Sequence, residues 1–513
     1  MQASIAHTAE RDGTFAFAAA GVLGGLIAFG AMMAIAMSRN GWVFEYPLDD
    51  VYIHLAMAEQ IASGGYGVNA GEFASAASSP LYPLLLTPLA EHPIQRWWPL
   101  LWNILALSVA SALFGIALAR AGFGRTGIVL AAAAPLALST YVTAFTGMEN
   151  MAHAAASLAI VLGLWRFIEV GRIGGLLVAG IFMASAFRIE AVALGLAAGG
   201  VVAILGGVRA GVGLMALAIL PVAVFAAFLV ALGLEPLPNS VLAKLGDMGP
   251  AGPLDKFAAN ANAYGGRYLF GLSLVVLCVG AATLTRDRRR GYFALAISAA
   301  GLAHLAFGST GWMDRYETYA NISLVAALAL MLSTAAPWFR TLAVSAALLG
   351  GFVTYARYAL PVYAWNPAAI SAQQGQMARF AKDFVKGPVA VNDIGYAAWH
   401  NPDYVLDLWG LASAEALSVR AADPSQGWAG PLTVKHGAAL AMIYDRWLSD
   451  AVPSGWRRRG TLHLDVPSAF LGDREVAFYA TDPVHSRSLT DALGLWESAL
   501  PERARFEFAE DAR

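Results

Sequence analysis

The stretch "FAFAAAGVLGGLIAFGAMMAIAM", residues 15–37, decides the class of this chain. It contains no charged residue, and about 20 apolar residues in a helix cross the roughly 30 Å of bilayer hydrocarbon. It is longer than a signal-peptide core and lacks a small-residue cleavage site, so it reads as a retained span. The rest of the 513-residue sequence keeps the same character, with 58% hydrophobic and 13% charged residues and a mean hydropathy of +0.57. Soluble domains carry about 25% charged residues, so composition alone indicates a membrane protein. A net charge of −2 gives no reason to expect nucleic acid as a partner. The single cysteine, Cys278, excludes an internal disulfide and sits in an apolar run as a packing residue.

Further apolar windows fall near 97–119, 127–145, 151–170, 174–187, 190–206, 212–234, 268–284, 292–308, 321–336 and 341–360. The expected fold class is a polytopic α-helical membrane protein of about eleven transmembrane helices. The window at 174–187 is short for a crossing and would be tilted, broken or extended through Arg188. With the N-terminus inside, the internal connections hold Arg120, Arg125, Arg172, Arg209, "RDRRR" (286–290) and Arg340, as the positive-inside rule requires. Two longer loops, 38–96 and 235–267, and everything after about 360 then lie outside. From 361 the charge returns and helical and strand-like patterns alternate, which predicts a small C-terminal α/β domain over 361–513 beside a membrane module over 1–360. Its basic triplet, Arg457–Arg459, reads as a solvated or headgroup-facing patch.

The first external loop opens with "EYPLDDVYIHLAMAEQIASGG", residues 45–65. Ile53, Met57 and Ile61 recur every four residues and Gly64–Gly65 ends the run, so a short amphipathic helix is expected along the membrane surface. Asp49 and Asp50 stand at its start. One aspartate there is a good helix cap, worth about 1 kcal/mol. A second adds only repulsion, which favours a chemical role for at least one of them. A carboxylate at the outer rim of a bundle could serve as general base toward an acceptor hydroxyl, and burial would strengthen it. Such a scheme needs cations to hold an anionic leaving group.

Cations occur outside although they are scarce. Only five lysines exist, and Lys244 and Lys256 share the 235–267 loop. Arg188 in "FRIEA" and Arg315 in "GWMDRYETY" lie at external turns. Each has a plainer reading as a snorkelling side chain or a local pair, Arg188–Glu190 or Asp314–Arg315. Together with the aspartates they favour an outward-facing site. Glu149 in "TGMEN" could cap the following helix. His54 could orient a carboxylate or contact phosphate, although a surface histidine is the plainer outcome. Asp49, Asp50 and His54 could hold a divalent cation, but no third well-spaced carboxylate or histidine supports a metal site. His304, inside a span, reads as packing.

The loop "DDVYIHLAMAEQIASGGYGVNAGEFASAASSPLYPLLL" resembles the first external loop of GT-C superfamily integral-membrane glycosyltransferases, of the mycobacterial terminal arabinofuranosyltransferase type. The shared features are Asp49–Asp50, Tyr52, Gly64–Gly65 and Ser79–Pro80. "TGMEN", "FRIEA", "PLPNSVLAK" and "DRYETY" resemble later turns of the family in order. "VNDIGYAAW" and "VLDLWGL" resemble strands of its outer domain, so the likeness covers nearly the whole chain. Ile189 stands where the family often has proline.

The resemblance implies inverting transfer of a hexose or pentose from a polyprenyl-phosphate-linked donor to a glycan, lipid or protein of the cell envelope. The place implied is the periplasmic side of a bacterial inner membrane, among membrane lipids. Asp49 is then the first choice as base and Asp50 the second. Arg188, Asn239, Lys244 and Arg315 would surround the donor phosphate, with His54 and Tyr52 nearby and Glu149, Glu190 and Tyr316 in support. Two other classes compete. A transporter or flippase would place broken helices near the bilayer midplane, usually in matching halves. Here most charges fall at span ends and no matching halves are seen. A non-catalytic scaffold would leave the charge placement unexplained.

Overall fold

The computed structural model describes residues 2–246, 252–422, 425–468, 470–482, 484 and 486–510, without the side chains of 2–12 and 244–246. The chain forms two compact units, one of residues 1–33, 99–225 and 250–360 and the other of 34–98, 226–249 and 361–513. The compact units therefore cut across the linear division at residue 360.

The first unit is helical. Among the described residues of the chain, eight helices are long and apolar enough to cross a membrane, and Arg125–Ala137, Gly175–Phe187 and Thr318–Thr334 are shorter apolar helices. This pattern is compatible with a multi-pass membrane protein. Asn150–Val170 lies at the centre, with 89% of its apolar window buried. It packs against Gly175–Phe187 and against Thr318–Met331. Small residues allow the first of these contacts. A Cβ on Gly163 would lie 2.6 Å from the Leu177 backbone nitrogen, and one on Gly180 would lie 2.8 Å from that of Ile160. Without a hydrophobic drive in lipid, such close backbone approach is what holds helices together. Cys278 is exposed on the Tyr264–Leu284 helix, so the packing role expected of it is replaced by an outward position.

The second unit is built on strands β1 (Val389–Val391), β2 (Val405–Asp407), β3 (Leu440–Ile443), β4 (Arg457–Leu464), β5 (Glu475–Ala480) and β6 (Ala504–Phe508). They form one sheet in the order β2-β1-β3-β5-β4-β6. The β2-β1-β3 half is parallel and the remaining pairings are antiparallel. Strands β1, β2 and β3 are buried along their whole length, as parallel strands covered on both faces are. Ala390, Leu406, Ala441 and Ile443 form the core there with Trp428 and Trp456. The expected small α/β domain is thus present, and it includes more of the chain than the C-terminal segment. Within the basic triplet, Arg457 and Arg458 are exposed, but Arg459 is 9% exposed and bonds Thr490.

The first loop folds into this unit. Its helix, Asp50–Ala62, is buried from Val51 through Glu59. It packs on the Tyr82–Leu86 helix and on the short helix Gly395–Ala398. The surface helix expected from Ile53, Met57 and Ile61 is therefore corrected to a core helix. Val51, Leu55, Ala56 and Ala58 widen its apolar surface beyond one stripe, and its polar His54 and Glu59 are covered as well, against Tyr82 and His400.

Candidate functional site

In the second unit the local fold starts from the carboxylates of "EYPLDD". Glu45, 4% exposed, lies at the hub of a polar group. It accepts the Tyr46 N–H at 2.9 Å and the Tyr396 hydroxyl at 3.2 Å, pairs with Arg96 at 2.9 Å, and takes a short bond from the Tyr52 hydroxyl. Tyr52 stacks on Tyr396 with ring centroids 4.1 Å apart. The Tyr52 side chain expected near a donor is fully buried in this stack.

Asp49 precedes the Asp50–Ala62 helix but does not cap it with its side chain. Its carboxylate instead accepts the backbone N–H groups of Gly395 (2.7 Å) and Tyr396 (2.9 Å) at the start of the Gly395–Ala398 helix. Gly395 is required by the closeness of this approach. A Cβ there would overlap the Asp49 carbonyl and lie 2.7 Å from Oδ2.

A third carboxylate joins the pair. Asp393 accepts from Gln374 and from the Tyr444 hydroxyl, each at 2.8 Å. The Tyr444 hydroxyl also contacts Gln373 at 2.6 Å, and the Tyr444 N–H bonds Asn392 at 2.8 Å. Burial pushes the Asp49 carboxyl well above the usual range, and Asp393 and Asp50 add to this while its two N–H bonds oppose it. Burial likewise raises Asp393, with Asp50 adding to the effect. Buried beside like charge, the Asp49 and Asp393 carboxyls hold a proton more readily than isolated ones. Among the described residues, no group of three or more His, Cys, Asp and Glu side chains is arranged to hold a metal ion.

His54 is 3% exposed, in place of the surface histidine expected, and its ring stands edge-on to Tyr82. Asn239 is also buried and begins the Asn239–Gly246 helix. Its backbone N–H meets the Ser75 carbonyl and hydroxyl, each at 3.2 Å, while its Nδ2 is buried without a partner among the described residues. The Lys244 side chain lies outside the described residues.

The first unit holds the remaining candidates. Arg188, 4% exposed, donates from Nη1 to Glu149 at 2.6 Å. Its Nη2 and Nε reach Glu190 at 2.6 and 3.2 Å. The local Arg188–Glu190 pair is therefore present, and buried Glu149 is tied to it. Two carboxylates on one guanidinium leave the group negative, which is unfavourable for phosphate. Arg188 and Arg315 both lie over the Tyr316 ring, at 5.4 and 5.0 Å from its centroid. His304 contacts the Ser309 carbonyl at 2.8 Å and the Tyr319 hydroxyl at 3.2 Å, in keeping with packing. Lys256 reaches the Phe307 carbonyl at 3.4 Å.

The turn carrying Arg315 is unusual in its backbone. Gly311, Trp312, Met313 and Asp314 have φ of 82°, 53°, 61° and 60° in succession, a left-handed turn. Left-handed geometry costs about 1–2 kcal/mol for each residue with a side chain. Bonds at both ends hold it: Glu317 accepts the Gly311 N–H at 2.8 Å, and the Thr318 hydroxyl donates to the Asp314 carbonyl at 2.7 Å. Burial, with Asp314 adding its charge, pushes the Glu317 carboxyl up to about 8.

The structure thus gathers Asp49, Asp50 and Tyr52 in one unit and Arg188, Glu149, Glu190, Arg315 and Tyr316 in the other. Sequence reasoning missed Glu45, Arg96, Asp393, Tyr396 and Tyr444. Glu45, four residues before Asp49, and the "VNDIGYAAW" stretch that holds Asp393 and Tyr396 were the visible signals, although no site role was read from them. A family model described as a domain of unknown function (DUF8728) matches residues 368–479, the part of the second unit that carries Asp393, Tyr396 and Tyr444. No curated protein and no solved structure matches the chain.

Proposed function

We propose that the chain is an inverting membrane glycosyltransferase. It moves a sugar from a polyprenyl-phosphate-linked donor to a cell-envelope glycan, lipid or protein on the periplasmic side of a bacterial inner membrane. In this reading the three shorter apolar helices cross with the eight long ones, giving about eleven spans, and the sheet domain is periplasmic. The motif series from Asp49–Asp50 to "VLDLWGL" supports the family, and the clustering of Asp49, Asp50 and Asp393 carries the chemistry.

Asp49 engages both its oxygens with backbone N–H groups, so it suits a positioning part. Asp50, on the next residue, takes the proton. The acceptor hydroxyl loses its proton to the Asp50 carboxylate as its oxygen bonds the anomeric carbon. The bond from that carbon to the phosphate oxygen breaks on the opposite face, and polyprenyl phosphate leaves with the electron pair. Asn239 and Lys244 are the proposed phosphate ligands within the same unit. Arg188 receives no phosphate contact in this reading, because its donors are on Glu149 and Glu190.

The test uses the full chain in nanodiscs with polyprenyl-phosphate pentose and hexose donors, followed by mass spectrometry of the products. Covalent transfer that is lost in Asp50→Asn at unchanged melting temperature supports the proposal. Uptake of solute into vesicles with no covalent product would establish a transporter instead.

A further inference from the structure

A groove of about 490 Å³ runs along the first unit between the Tyr264–Leu284 and Pro337–Ala359 helices, floored by Leu328 and Leu332. Gly271, Ala343, Ala346 and Ala347 keep its walls low, and a Cβ on Gly271 would meet open space. From Arg267 to Val279 it follows one helix for about 18 Å, at 1.5 Å per residue. That is close to one leaflet of a hydrocarbon core about 30 Å thick.

The two ends differ. Phe339 lines one end, and Arg267 lines the other. The two helices run antiparallel there, since the Tyr264 hydroxyl meets the Val353 carbonyl and the Tyr268 hydroxyl meets that of Ala347. The last turn of the second helix therefore adds Arg357, whose guanidinium lies 3.7 Å from the Tyr264 ring centroid and bonds the Tyr358 hydroxyl. Arg267 and Arg357 are both exposed. Tyrosines beside arginines at one end of two apolar helices mark a membrane–water interface.

We infer that this groove binds one anionic phospholipid of the surrounding bilayer, with an acyl chain along Gly271 and Ala346 and the phosphate at Arg267 and Arg357. The groove has the length of one leaflet, is apolar along it, and Arg267 is the one charged residue among the described residues that line it. The site lies wholly within the first unit and stands independently of the glycosyltransferase reading. Bulk lipid reaches it at high local concentration, so modest affinity fills it.

The experiment places the full chain in phosphatidylcholine nanodiscs containing a minor fraction of photoactivatable phosphatidylglycerol and maps the cross-linked peptides. Labelling is expected within 267–279 and 339–347. It should fall about fivefold for Arg267→Ala and again for Arg357→Ala, and at least tenfold for Gly271→Phe and Ala346→Phe. Equal labelling of both filled-groove variants, at the parental melting temperature, would overturn the proposal. Equal labelling by a phosphatidylcholine probe would also overturn it. Displacement of the label by a small fraction of polyprenyl phosphate would assign the groove to a prenyl chain instead.

Discussion

The Asp49 carboxylate caps a helix that begins 346 residues later in the chain, through the N–H groups of Gly395 and Tyr396. An aspartate placed where its own helix begins thus leaves that helix uncapped and fixes the first loop to the sheet domain. In Asp49→Asn one oxygen becomes an NH₂ group facing a backbone donor. The expected loss is about 1–2 kcal/mol, seen as a lower melting temperature. Asp50→Asn should melt close to the parent while losing the proposed transfer. If Asp49→Asn melts as the parent does and Asp50→Asn does not, the two roles are exchanged.

Gly395→Ala should reproduce the Asp49 defect by another route. Its Cβ meets the Asp49 backbone carbonyl, which cannot swing aside as a side-chain end can. A loss of about 1–3 kcal/mol is expected, of the kind that overpacking causes. Because both changes break one contact, the double variant should lose clearly less than the sum of the two single losses. Simple additivity in a double-mutant cycle would show that the contact is unimportant.

Arg188 tests whether a buried arginine is a ligand-binding or a structural residue. Its removal leaves Glu149 buried and uncompensated, so Arg188→Ala should destabilise by about 3–5 kcal/mol. Adding Glu149→Gln and Glu190→Gln to that variant should recover much of the loss in melting temperature. A phosphate-binding role alone predicts the reverse, a stable Arg188→Ala protein with weakened donor binding.

The parts of this architecture that local pattern specifies were legible. Long apolar runs give the long apolar helices, and the return of charge after residue 360 gives the sheet domain. Asp49 and Arg188 stood out because charge is scarce in this chain. Asp393 and Tyr396 stood in the "VNDIGYAAW" stretch, but their place beside Asp49 was not legible, since they meet it only through long-range folding. The helix periodicity misled at Ile53, Met57 and Ile61. Spacing shows that one face is apolar but cannot show that the tertiary fold covers the others as well. The left-handed turn at 311–314 was invisible, since Gly311 and Asp314 tolerate positive φ but Trp312 and Met313 between them do not suggest it.

Glu317 should make stability fall as pH rises. Its carboxyl is held near 8 in the folded chain against an ordinary value of 4.5, through burial first and the Asp314 charge second. Between these values the folded state binds a proton that the unfolded state has lost. The Glu317 contribution to stability therefore declines with increasing pH across this window and is flat on either side. Above pH 8 the charged Glu317 is buried beside Asp314, and the Gly311 N–H bond only partly offsets the repulsion. Glu317→Gln should lessen the slope by this contribution and melt higher than the parent at pH 9. Asp314→Asn should keep the slope but move its upper limit to lower pH. Melting curves from pH 4 to 9 in detergent check all three forms, and identical profiles for the parent and Glu317→Gln would refute the assignment.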